Sequence, residues 1–219
     1  MKKVITGDKT ETFINPIFNE SYHSHTGAVE EALRKYAEPC KIKELAKSGS
    51  IKILDMFFGL GYNSAMAIDI ALKANPNCHI EVVGIENDPE IIRSIQDINP
   101  PIDYFKFYKT LTENNLCFEH GNISVKVVLG DANESVKNLE QDYFDAIFYD
   151  PFSPKTQPEM WSPTLFKEMH RVIKEKGILS TYSCARIVRE NMQKAGFMYD
   201  EGPVVGRRGP GTIAFKWEI

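Results

Sequence analysis

From about residue 26 onward, apolar positions recur first at helical and then at strand spacing, which predicts helices and strands taking turns. In TGAVEEALRKYAEP, Val29, Ala32, Leu33 and Tyr36 fall on one helical stripe that Pro39 ends. A short apolar strand at 51–56 runs into a glycine loop, and a helix follows to about Ala74. EVVGIEN at 81–87 reads as a second strand, with a helix from Pro89 to about Gln96. The stretch DYFKFYKTLTENNLCFEHGN has no clear period, but Ile123, Val125, Val127 and Leu129 alternate as a third strand would. AIFYD at 146–150 is the fourth. Leu165, Met169, Val172 and Ile173 space a helix that Gly177 is expected to cap, before a fifth strand, GILSTYS. ARIVRENMQKAG is a helix ending at Gly196, and the tail reads as two strands joined by a Gly-rich turn.

This alternation implies an α/β fold with a mostly parallel sheet, helices on both faces and an antiparallel C-terminal strand. With no repeat or linker, residues 1–219 are expected to form a single domain, of a length one core can support. Within it, residues 1–40 are an N-terminal segment with the first helix, and 51–219 are the core.

Hydrophobic residues at 42% and charged residues at 26% suit a soluble globular protein. No apolar run reaches the roughly 20 residues of a membrane span, and the two N-terminal lysines precede no apolar stretch, so the cytoplasm is the expected compartment. Cys40, Cys78, Cys117 and Cys184 form no C-x-x-C pair, which argues against zinc and against a disulfide framework; no metal is expected. A net charge of −4 disfavours a long nucleic-acid footprint while leaving room for a local basic patch.

In open α/β sheets ligands sit beyond the carboxyl ends of the strands. The loop Asp55-Met56-Phe57-Phe58-Gly59-Leu60-Gly61 lets backbone approach a ligand, and Asn63 or Ser64 is placed to cap the next helix. It is D-x-x-x-G-x-G, not G-x-G-x-x-G, and it lacks a P-loop lysine. Glu86 ends the second strand, suited to two ribose hydroxyls. Asp131 ends the third, suited to an adenine amine, and Asp150 ends the fourth. Any one of them alone is better explained by a solvated turn or helix cap. Four acids at four successive strand ends are more simply explained by one adenosine-binding cleft.

At these residues the chain resembles the class I S-adenosylmethionine-dependent methyltransferases over nearly its whole length, with the Rossmann-like, seven-stranded fold that this implies. The second half is similar to the methyltransferase part of the bacterial MnmC family. The match lies in Asp150-Pro151-Phe152-Ser153-Pro154, Pro158-Glu159-Met160-Trp161, Gly177 through Ser183, Ala185 through Arg189 and Ala195-Gly196-Phe197. The opening TFINPIFNESYHSHTGAVEEA resembles stand-alone members. Pro151 departs from the family's glycine, and GRRGPG at 206–211 keeps only the basic start of its family counterpart.

The resemblance implies N-methylation of the 5-aminomethyl group on the wobble uridine of tRNA. With no flavin-dependent oxidase domain before Ile219, the aminomethyl precursor is expected from other enzymes. Cofactor contacts are expected from Asp55, Phe58, Gly59, Gly61, Asn63, Glu86, Asn87, Asp131, Ala132 and Asp150, and catalysis from Asp150, Pro151 and Phe152. Methyl transfer from a sulfonium is an in-line displacement governed by positioning, with Asp150 aiming a neutral amine and Phe152 either stacking on the flipped base, lying against the cationic methyl centre or packing in the core under the sheet. Tyr22, His23 and Ser24 are expected either to fold over the cofactor as a lid, with Tyr22 and His23 meeting the substrate, or to give the first helix an N-cap from Ser24 or Thr26. Arg186, Arg189, Arg207 and Arg208 are expected to meet the anticodon stem-loop, whereas Trp161 is read as a packing anchor and His170 as a surface residue. The oligomeric state is open, with a monomer favoured. The alternatives are a spermidine synthase-like aminopropyltransferase, another small-molecule methyltransferase, or a non-catalytic binding subunit.

Overall fold

Among residues 1–206 and 208–216, which the computed structural model describes, ten strands form two sheets. β1 (Lys2–Ile5) and β2 (Glu11–Ile14) make an antiparallel hairpin of their own. The large sheet contains β3 (Ser50–Met56), β4 (His79–Glu86), β5 (Cys117–His120), β6 (Ile123–Leu129), β7 (Phe144–Tyr149), β8 (Ile173–Thr181), β9 (Phe197–Glu201) and β10 (Thr212–Lys216). Their order is β5-β6-β4-β3-β7-β8-β10-β9. The five strands from β6 to β8 are parallel, while β5 and β10 pair antiparallel at either side and β9 pairs antiparallel with β10.

Side-chain alternation divides the interior into two cores. Ile51 and Ile53 of β3, with Ala146 and Phe148 of β7, join one core; Leu54, Met56, Ile147 and Tyr149 join the other. Strands apolar on both faces belong in a covered parallel sheet. The first core takes in α1 (Ala28–Glu31), α2 (Ile42–Leu45), α3 (Tyr62–Ala74), α4 (Pro89–Arg93) and α5 (Phe105–Tyr108). The second takes in α6 (Ala132–Ser135), α7 (Pro163–Val172) and α8 (Arg186–Lys194).

Four expectations change. The sheet has eight strands, not seven: the segment without clear period supplies the short edge strand β5, in which only Phe118 is buried. α7 ends at Val172, and Gly177 lies inside β8, where the register against β7 shifts between Phe144 and Ala146. A side chain at Gly177 would meet Ile173 at 2.6 Å, so this glycine serves the bulge and not a helix cap. The first helix continues past Glu31 as a π-helical stretch, Ala32–Ala37, and the buried stripe becomes Ala28, Glu31, Ala32, Lys35, Tyr36 and Ala37. Finally, Gly61 at φ 75° precedes α3, which has no side-chain cap from Asn63 or Ser64. No described helix is long and apolar enough to cross a membrane.

Candidate active site

Strand order reverses between β3 and β7, so the carboxyl ends of β4, β3 and β7 frame one crevice. Asp55, near the end of β3, is fully buried and accepts a hydrogen bond from Ser64 N at 3.1 Å, doing for α3 what a cap residue would do. Its Oδ1 has no partner, and burial pushes its carboxyl up to about 8. Beyond it, Phe57 takes a left-handed φ of 64°, unusual for a bulky residue, and Gly59 turns at φ 55°. Phe58 packs over Gly84, where a Cβ would sit 2.5 Å from its ring. Gly61 is closed in by Tyr108 and Phe58 at 2.7–2.8 Å. Of the two loop glycines, then, Gly59 faces the crevice and Gly61 faces the core.

Glu86 is held by backbone alone. Its Oε2 accepts from Gly59 N at 2.8 Å, and its Oε1 accepts from Asn87 N and Asp88 N at 2.8 and 2.9 Å. Burial still raises its carboxyl against these three bonds. Asn87 is exposed at the rim and Ala132 is buried in the wall. Asp131 sits otherwise than expected: it is exposed, and its Oδ1 caps α6 by accepting from Asn133 N and Glu134 N. The helix-cap alternative describes its placement.

At the end of β7, Asp150 accepts from Asn63 Nδ2 at 3.1 Å. Burial, and then the nearby Glu31 carboxylate, push its carboxyl up to about 7. Two aromatic side chains fix the next turn from the core side: Tyr182 Oη donates to Pro151 O at 3.0 Å, and Trp161 Nε1 donates to Phe152 O at 2.9 Å. Trp161 is the packing anchor expected of it, 2% exposed. The Phe152 ring is neither in the core nor isolated, since Phe18 and Tyr22 pack against it at centroid distances of 5.1 and 5.0 Å.

Phe18 and Tyr22 come from an N-terminal segment that crosses the crevice. Tyr22 Oη donates to Asp88 Oδ2 at 2.7 Å and accepts from Asn15 Nδ2 at 2.9 Å. His23 is buried against Tyr62, with Thr12 Oγ1 3.0 Å from its Nδ1, and burial drives it down to about 4, so it is neutral at pH 7. Glu20 Oε2 accepts from Ser153 N at 3.1 Å, while its Oε1 accepts from Ser153 Oγ at 2.7 Å and from Thr156 Oγ1. Burial opposes the Glu20 charge, but the bonds from Thr156 and Ser153 outweigh it and hold the carboxyl below its usual range.

Together these residues enclose a cavity of about 470 Å³. Phe58, Gly59, Asn63, Glu86, Asn87, Ala132, Asp150, Pro151, Phe152, Tyr22 and His23 all line it; Asp55, Gly61 and Asp131 do not. Its described lining also includes Asn15, Phe18, Glu20, Glu31, Lys35 and Phe57, none of which stood out in the sequence. Four carboxylates (Glu20, Glu31, Glu86, Asp150) face one ammonium, Lys35, which favours a cationic ligand.

Of the arginines expected to meet the substrate, Arg186, Arg189 and Arg208 do not line the cavity. Arg186 is exposed and pairs with Glu190 at 2.7 Å. Arg189 is mostly buried: it donates to Thr212 Oγ1 at 3.0 Å and to Gly211 O at 3.2 Å, which ties α8 to the C-terminal hairpin. Arg208 is exposed, and Arg207 lies outside the described residues. His170 is half-buried against Phe197. No group of three or more His, Cys, Asp or Glu side chains that could hold a metal occurs among the described residues.

Residues 103–217 match the family model for S-adenosyl-L-methionine-dependent methyltransferases. The chain belongs to this family. It is similar to MNMC2 from Aquifex aeolicus, a crystal structure 34% identical with a TM-score of 0.87 over 98% of this chain and 70% of that one. It is 29% identical to an uncharacterised protein from Methanocaldococcus jannaschii, over 97% of this chain and 59% of that protein. It is also 24% identical to the tRNA 5-methylaminomethyl-2-thiouridine biosynthesis bifunctional protein MnmC from Leptospira interrogans, over 94% of this chain and 34% of that protein. The chain thus spans about three fifths of the first of these two relatives and about a third of the second.

The cavity of this family member fits S-adenosyl-L-methionine on the structure's own evidence. Asn63 Oδ1 is buried, unpartnered and in the lining, the charge balance suits a sulfonium, and Gly59 opens the loop where backbone must approach.

Proposed function

We propose that this methyltransferase N-methylates the 5-aminomethyl group of the wobble uridine in a tRNA anticodon stem-loop, and that the whole chain acts as one catalytic unit. The observation that carries the reading is the likeness to MNMC2 over 98% of the chain, coupled with a cavity that ends at Asp150-Pro151-Phe152. In this reading S-adenosyl-L-methionine supplies a methyl group activated by a sulfonium. Glu86, fixed by three backbone N–H groups, has lone pairs left for ribose hydroxyls. Asn63 and Asp150 hold the reacting end, while Phe152, flanked by Phe18 and Tyr22, offers an aromatic wall to a flipped base.

The substrate nitrogen attacks only as a neutral amine, and an alkylammonium ordinarily loses its proton near pH 10, as lysine does. With its carboxyl raised to about 7, Asp150 makes that transfer uphill by about 4 kcal/mol, against about 8 kcal/mol for an unperturbed carboxylate. Burial of the ammonium in a water-poor cavity narrows the gap further. Once Asp150 has passed that proton to solvent, its carboxylate stabilises the positive charge that develops on nitrogen.

The test is transfer of labelled methyl from S-adenosyl-L-methionine to tRNA bearing 5-aminomethyluridine, run beside putrescine with decarboxylated cofactor. Label in that tRNA and not in unmodified tRNA is the expected result. Aminopropyl transfer to putrescine with no label in tRNA would replace this reading with the spermidine synthase-like one.

A further inference from the structure

The lining of the cavity includes a charged pair that neither the fold nor the reaction described above requires. Glu31 and Lys35 are 6% and 5% exposed and form an ion pair of 2.5 Å. Removing two charges from water costs several kcal/mol per ion, and an apolar pair of similar volume commonly stabilises a fold equally well. The helix is also distorted where it carries them. Glu38 N donates to Leu33 O, five residues back, and this π-helical stretch holds Lys35 and Tyr36 on the buried side. Such stretches are frequent at functional sites.

An ammonium has three N–H donors. Glu31 Oε1 takes one from Lys35, and no other described acceptor bonds it. Glu31 is held in place by Ser24 N, which donates to its Oε2 at 2.7 Å. Asp150 is electrostatically adjacent to both members of the pair, and Asn63, whose Nδ2 bonds Asp150, leaves its Oδ1 buried without a partner. One cation with spare donors therefore stands near an anion and an amide with spare acceptors, all lining one cavity.

Glu86 ends β4 and Asp150 ends β7, with β3 between them, so the two acids lie about 10 Å apart at ordinary strand spacing. A ligand whose ribose rests on Glu86 extends toward Asp150 and meets the pair at its far end. The ligand chemistry that matches one cation with spare donors beside spare acceptors is an α-amino acid zwitterion.

We infer that Lys35, set by Glu31, binds the α-carboxylate at the amino-acid end of the cofactor, and so makes the enzyme select the carboxylated cofactor over its decarboxylated form. The ammonium of the same ligand faces Asn63 Oδ1, which leaves Asp150 to the substrate amine. The inference rests on the cofactor lying in the cavity as proposed above. It makes Lys35 a specificity determinant between methyl transfer and aminopropyl transfer.

Calorimetric titration tests it with three ligands: S-adenosylhomocysteine, its decarboxylated analogue, and 5′-methylthioadenosine, which lacks the amino-acid end altogether. The wild-type protein is expected to prefer the first over the second by about 10- to 100-fold, the range of one charge-assisted hydrogen bond. Lys35→Met should bring that ratio close to one while leaving methylthioadenosine affinity within about threefold. Because Lys35→Met strands a buried Glu31, the double variant Glu31→Gln/Lys35→Met is measured as well, and the same loss of preference is expected. A ratio retained in both variants, no preference in the wild type, or an equal loss for all three ligands would overturn the inference while sparing the cofactor reading. Wild-type protein that binds none of the three would overturn both.

Discussion

The two ends of the crevice are built from different materials. On the β4 side, Glu86 is gripped by three backbone N–H groups that no side-chain substitution removes. On the β7 side, side chains hold one another: Asn63 with Asp150 and Glu20 with Ser153 and Thr156 across distant segments, and Lys35 with Glu31 along one helix. Backbone grips give a geometry that is inherited with the fold, whereas side-chain grips can be tuned residue by residue. The first arrangement suits the part of a cofactor common to a superfamily, and the second suits the part where reaction and substrate are chosen.

The largest effect that would sharpen this contrast is expected from Asp150→Ala, which should slow methyl transfer by about 10²- to 10⁴-fold, the usual contribution of a positioned base. Homocysteine-cofactor affinity should change only a few-fold, because the opposite end remains intact; lost binding without any other defect would reassign Asp150 to the cofactor. Since burial raises the Asp150 carboxyl to about 7, it accepts a proton only above that pH. The wild-type rate should therefore climb as pH rises through about 7, and Asp150→Asn should lose that limb of the profile.

Glu86→Ala comes next. It leaves three N–H groups unpaired, of which that of Gly59 is buried, and should weaken cofactor binding by about 10- to 100-fold, with a fall in Tm that reflects about 1–3 kcal/mol for the buried donor. A smaller change is expected from Glu20→Ala, which cuts the tie between the N-terminal segment and the 153–156 turn. KM for tRNA should rise about 3- to 10-fold with cofactor affinity unchanged. Glu20→Gln, which keeps one carbonyl acceptor, should recover part of the loss. Arg189→Ala should affect the chemistry least. It removes bonds to Thr212 and Gly211 and should lower stability by about 1–3 kcal/mol in a denaturation series, with tRNA affinity unaltered per folded molecule. A selective fall in tRNA binding would instead return Arg189 to the phosphate contacts first expected of it.

The parts of this picture legible in the sequence are those carried by local pattern. Apolar runs ending in Asp55, Glu86 and Asp150 mark strand ends, and strand ends in such a sheet mark the crevice. Asp131 has the same local pattern, yet it serves as a helix cap, because nothing within a few residues tells the two uses apart. Glu20 was out of reach for a different reason, since its partners lie 133 and 136 residues away and the turn they share forms only when both segments meet. Glu31 and Lys35 did leave a trace. They fall in line with Ala28, Ala32 and Tyr36, but charged residues four apart on a helix ordinarily mean a solvated face. The eighth strand was missed because β5 buries a single side chain and so has no period to detect.

Pro151 stands where glycine was expected from the family resemblance, and its surroundings determine what that exchange does. Its carbonyl and that of Phe152 are pinned from within the core by Tyr182 and Trp161, whereas Glu20 reaches the same loop from outside. A turn with a locked φ and two core-side anchors keeps its shape whether or not the outer segment is seated on it. The two layers should therefore differ in local opening free energy: amides of residues 15–24 should exchange with solvent well before those flanking Asp150. On the function proposed above, lifting that outer layer would admit a bulky polymer without dismantling the edge against which the reaction is aligned.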